Sequence, residues 1–103
     1  MDKALERYIE YFGRSAMEIH NDPRPRPKLF ATVAKPMRFS RWNGHGEDPE
    51  FTEYDVHIGT TVRIVMYSRF GDVGVTDDLN AEYGYHARVG PDSFYLVDWR
   101  EEP

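Results

Sequence analysis

The spacing of hydrophobic residues changes along this chain. Over residues 2–20, Ala4, Leu5, Tyr8, Ile9, Phe12, Ala16 and Ile19 recur every three or four positions, which predicts a helix with one apolar face. Asp2 stands where an N-cap carboxylate would accept from the first turn, and Glu6 lies near the positive end of the helix dipole. A glycine inside a helix costs about 1 kcal/mol against alanine, so Gly13 is where a break is expected. The run HNDPRPRPK ends the helix, because each proline lacks a donor and restricts the residue before it. Residues 21–28 are expected to form a stiff Pro/Arg-rich connector. Its prolines recur at every second position and do not meet the P-x-x-P ligand pattern.

From Leu29 onward the period is two. KLFATVA, PMRFSRW, FTEYDVHI, TVRIVMYS, VGVT, YHARV and SFYLVDW read as short strands, and NGHGEDPE (residues 43–50) as a polar loop. In TVRIVMYS, Val62, Ile64 and Met66 alternate with Arg63, Val65 and Tyr67. In SFYLVDW, Phe94 and Leu96 are set against Tyr95, Val97 and Trp99. The chain is thus expected to be one domain over residues 1–103: helix 1–20, connector 21–28 and a β-rich body 29–102. Within it, Val62–Ile64, Gly71, Gly74, Val75, Tyr85–Val89 and Phe94–Trp99 carry a resemblance to small SH3-like β-barrel domains over residues 59–102. The expected class is α+β, with the N-terminal helix packed on a small, strongly curved antiparallel sheet or SH3-like barrel. Related barrels include accessory subunits of larger enzymes, so the resemblance implies that role as one alternative.

The stretch VRIVMYSRFGDVGVTDDL sets a glycine-rich corner between two strands. G-x-x-G invites a phosphate cradle, but no Lys-Ser/Thr follows and no helix begins there. Glycine at a strand corner is needed for positive φ or for a bulge, so a hairpin is expected. Asp72, Asp77 and Asp78 around it could offer oxygen ligands to a cation, yet they lack an EF-hand ladder and read as turn residues.

Charge changes the picture more than composition does. The chain has 103 residues, net charge −5 and no cysteine. No thiolate chemistry, disulfide framework or Cys-ligated metal is open to it. Residues 23–43 hold six basic groups and no acid, whereas residues 44–103 hold thirteen acids and four basic groups. The charged start MDKALERYIEYF is unlike a signal peptide, and runs such as IVMY and FYLV are too short to span a bilayer, so a cytoplasmic protein is expected.

Signatures of catalysis are missing from the pattern. His20, His45, His57 and His86 show no paired ligand spacing, although His45 lies in the site-like setting NGHGED. Ser15, Ser40, Ser68 and Ser93 lack a nucleophile elbow. A non-enzymatic binding protein without cofactor or metal is expected.

Two binding chemistries remain. Arg24, Arg26, Lys28, Lys35, Arg38 and Arg41, interleaved with Trp42, have the mix that pairs phosphate contacts with base stacking. The opposing expectation is that acidic neighbours in the fold neutralise them. The favoured expectation is a protein partner, met by Tyr83, Tyr85, Tyr95 and Trp99 as anchors, with Asp77 and Asp78 steering toward a basic surface. Phage anti-defence inhibitors and immunity proteins have a similar general make-up. By that comparison of composition, the chain would occlude a nucleic-acid-handling site on its partner.

Overall fold

Asp2 caps the first helix as its position suggests, accepting from the Ala4 N–H at 2.8 Å. The computed structural model describes residues 2–42 and 51–103. The expected single helix is two: α1 (Lys3–Phe12) and α2 (Ala16–His20). Gly13 ends the first, with its N–H on the Ile9 carbonyl, and Ser15 caps the second by accepting from Glu18. Leu5, Tyr8 and Tyr11 are the buried residues of α1, whereas Ala16 and Met17 lie in solvent, so the apolar face stops with α1.

The connector is tied down as well as stiff. Asp22 accepts from the Arg14 and Arg24 guanidinium groups, each at 2.7 Å, and from the Arg24 backbone N–H at 2.8 Å. Both guanidinium groups lie over the Tyr11 ring, 4.7 and 5.7 Å from its centroid. The bonds from Arg24, followed by that from Arg14, hold the Asp22 carboxyl far below the usual carboxylate range.

Among the described residues seven strands follow: β1 (Leu29–Val33), β2 (Met37–Trp42), β3 (Phe51–Val56), β4 (Thr61–Tyr67), β5 (Val73–Thr76), β6 (Ala87–Val89) and β7 (Leu96–Arg100). All pairings are antiparallel. Five strands form a sheet in the order β6-β5-β4-β1-β7, and β2 and β3 form a separate ribbon. The class is α+β, and among the described residues the larger sheet is open, with β6 and β7 at its edges.

One face of that sheet is the core. Leu29, Ala31 and Val33 alternate inward on β1, opposite Ile64 and Val62 on β4 and Leu96 on β7, and Val73 and Val75 continue the face on β5. Leu5 and Tyr8 from α1, and Met37, Phe39 and Val56 from the ribbon, complete the same cluster. Each such side chain taken out of water contributes roughly 1.5–3 kcal/mol before the cost of ordering it. The other face is mixed: Phe30 is buried there with Arg63 over its ring, and Arg100 donates to the hydroxyls of Thr32 at 2.9 Å and Thr61 at 3.0 Å.

Two bulges alter the expected alternation. Between Ile64 and Met66, two steps of β4 face one step of β5, so Val65 is extra and Tyr67, not Met66, returns to the core side. On β7, the steps from Val97 to Arg100 face only Thr32 to Phe30, and Asp98 takes up the difference at φ 55°. Leu96 and Trp99 therefore share the inward face, where strict alternation would part them. Phe94, at φ 62° after the 3-10 turn Pro91–Ser93, is 71% exposed rather than core.

Candidate functional site

Alternation along β2 sorts its side chains between the core and solvent. Met37, Phe39 and Arg41 pair with Val56, Tyr54 and Thr52 on one side of the ribbon; Arg38, Ser40 and Trp42 pair with Asp55, Glu53 and Phe51 on the other. On the inner side, the Phe39 and Tyr54 rings meet edge to face at 5.9 Å. The Tyr54 hydroxyl donates to Asp77 at 2.9 Å, and Arg41 lies 3.6 Å from the same carboxylate and over the Tyr54 ring. Burial, then the bond to Asp77, raises the Tyr54 pKa.

The outer side carries an aromatic pair beside charges. Trp42 and Phe51 are 56% and 66% exposed, yet their rings pack edge to face at 4.9 Å. Arg38 lies 3.4 Å from Glu53 and 3.5 Å from Asp55. The Ser40 N–H donates to the His86 carbonyl at 2.9 Å, away from β3. Ser40 and Glu53 are thus a non-hydrogen-bonded pair, and the backbone N–H and C=O of Phe51, Glu53 and Asp55 point to the outer edge of β3. No described strand pairs there.

The basic residues do not form one stripe. Arg24 is held by Asp22 and lies 3.9 Å from Glu10; Lys35 donates to the Ser93 carbonyl at 3.3 Å and sits over Tyr95. Arg38 and Arg41 meet the acids named above. Arg26 and Lys28 have no ion-pair partner among the described residues.

The expected protein-binding residues are also dispersed. Tyr83 is 85% exposed; Tyr85, on the approach to β6, lies over Gly74, where an added Cβ would come within 2.9 Å of its Cβ and Cγ. Tyr95 stands by Lys35, beyond β4 and β1 from Tyr85. Trp99 is partly buried against the core cluster. Asp77 belongs to the Tyr54–Arg41 group, and Asp78 accepts from the Asn80 N–H at 3.0 Å.

The glycine corner is a hairpin: Gly71 has φ +89°, Ser68 and Asp72 close the turn, and β4 and β5 pair around it. Arg88 donates to both Asp72 oxygens, at 3.0 and 2.9 Å, and the Ser68 hydroxyl donates to the same carboxylate. These bonds, Arg88 first, lower the Asp72 pKa to about 2. Among the described residues no three His, Asp or Glu side chains gather as a metal site, and His45 lies outside the described residues.

No family model, curated protein or solved structure matches this chain. The Trp42–Phe51 pairing was the feature that sequence reasoning missed. Its one signal is positional: the two aromatic residues flank the polar run 43–50, whose expected loop lies outside the described residues.

Proposed function

We propose that this chain is a non-enzymatic protein-binding module whose contact surface is the outer side of the β2–β3 ribbon. The observation that carries the reading is the exposed Trp42–Phe51 pair beside Glu53 and Asp55. Exposed aromatic rings held in one geometry lose little entropy on binding, and nearby carboxylates steer toward a basic partner. A basic nucleic-acid-handling surface has that chemistry, so the module would act as an inhibitor by covering it. Direct binding of nucleic acid is disfavoured because Arg24, Arg38 and Arg41 already face carboxylates.

The test is paired capture. A partner retained from the native host by the parent chain should be lost by the double variant Trp42→Ala, Phe51→Ala with its melting temperature preserved. Fluorescence anisotropy with generic DNA and RNA at low salt should stay flat. Equal capture by parent and variant would overturn the surface, and salt-dependent nucleic-acid binding would overturn the partner class.

The bulges at Val65 and Asp98 support a second reading, because bulges twist and bend strands and the SH3-like resemblance implies a strongly bent sheet. In that reading the chain is an accessory subunit of a larger enzyme, recognised by stoichiometric co-purification with it.

A further inference from the structure

Arg26 and Lys28, the connector cations without an ion-pair partner among the described residues, border a cavity of about 190 Å³. Tyr8 and Phe12 of α1, Arg63 of β4 and Glu82 of the loop after β5 also line it. The Arg63 Nη1 donates to the Leu79 carbonyl at 3.1 Å, and its buried Nε has no acceptor among the described residues. The Tyr8 hydroxyl also lacks a hydrogen-bond partner among the described residues. Burial raises its pKa against the opposing charge of Arg63, which keeps it a neutral donor. Three cations, a phenol and one carboxylate thus line the cavity, and Lys28, Arg63 and Glu82 also border an adjoining recess lined by Glu101 and Glu102.

We propose that this cavity binds a small phosphate monoester, with its phosphate on Arg26, Lys28 and Arg63 and a single ring against Phe12. A phosphate monoester carries about −1.5 to −2 charge at neutral pH, and guanidinium and ammonium donors such as Arg26, Lys28 and Arg63 are its usual partners. The Tyr8 and Phe12 rings pack at 4.5 Å and give the cavity an aromatic wall. Pockets for drug-sized ligands run from roughly 300 to 1,000 Å³, so a cavity of about 190 Å³ suits one ring rather than two. A polynucleotide does not fit the same logic, because three cations in a recess offer too few phosphate contacts.

The test is calorimetric titration of the full chain with phenyl phosphate, beside inorganic phosphate and benzoate. Phenyl phosphate should bind saturably at one site and more tightly than either. Arg26→Met and Lys28→Met should each weaken it about tenfold, by loss of a charge-assisted contact. Both positions are exposed, so thermal melts should not move. Glu82→Gln should strengthen binding, and the Trp42→Ala, Phe51→Ala variant should leave it unchanged, which separates this site from the protein-binding surface. No saturable binding, or binding indifferent to both Met substitutions, would overturn the site. Equal affinity for benzoate would overturn the phosphate assignment, and equal affinity for inorganic phosphate would overturn the ring contact.

Discussion

In strand β2, Arg38 lies 3.4 Å from Glu53 and Arg41 lies 3.6 Å from Asp77. In the connector, Arg26 and Lys28 form no ion pair among the described residues, although Arg24 just before them is clamped by Asp22. As sequence the two segments are alike, with cations every two or three residues among prolines and apolar side chains. They differ in what the chain places opposite. β2 pairs along its length with an acidic strand, whereas Arg26 and Lys28 run past a helix and the middle of β4 where a recess remains. A basic run therefore describes no single surface. Its cations take separate roles according to the strands and loops folded against them.

The largest expected effect breaks the packing that sets β2 in place. Phe39 has no exposed surface and points into the main cluster. Phe39→Ala should cost about 3–5 kcal/mol of folding stability, from lost burial and the cavity left behind. The double variant Arg26→Met, Lys28→Met should stay within about 0.5 kcal/mol of the parent, because it removes exposed side chains away from the core. Urea unfolding of the two proteins measures both. A Phe39→Ala loss below about 1 kcal/mol would show that the ribbon is not anchored through this residue.

The next effect is a dependence on acid, set by the cations that do have partners. Asp72 titrates near 2 in the folded chain because Arg88 and Ser68 bond its ionised form. The same carboxyl titrates near 3.9 in an unfolded chain. Its contribution to stability is thus complete above the unfolded value and lost as pH falls from about 4 through about 2. Asp22, lowered by Arg24 and Arg14, acts in the same direction. The melting temperature should fall across that window, and Asp72→Asn should lower it at neutral pH while making the acid-side fall shallower. A variant with an unchanged fall would place the acid sensitivity elsewhere.

How far these features can be read from sequence varies along the chain. The apolar face of α1, the break at Gly13 and the hairpin around Gly71 follow from local period, capping and turn chemistry, which act between neighbours. Trp99 does not: the bulge at Asp98 reverses its side, and a bulge arises from register against another strand. The pairing of Arg41 with Asp77 and the meeting of Tyr8 with Arg63 and Lys28 at one cavity depend on strand order, which the residue pattern does not encode locally. The expected partner-binding set scattered for the same reason. Tyr85 and Tyr95 stand on segments that the sheet order keeps apart.

The smallest expected effect asks how much the pairing on β2 itself contributes. Arg38, Glu53 and Asp55 are all well exposed, and one guanidinium lies near two carboxylates at 3.4 and 3.5 Å. Exposed pairs of this kind are weakened by solvent and by the entropy of fixing long side chains. A double-mutant cycle on Arg38→Ala and Glu53→Ala should give a coupling of about 0.2–1 kcal/mol, shrinking as salt is raised. The single variant Arg38→Ala should matter more for binding than for folding, since it removes the cation that partly masks Glu53 and Asp55. A basic partner on the ribbon's outer side would then bind the variant more tightly, with a steeper dependence on salt. Weaker binding would mean that Arg38 itself meets the partner, and the contrast between masked cations on β2 and unmasked ones in the connector would no longer hold.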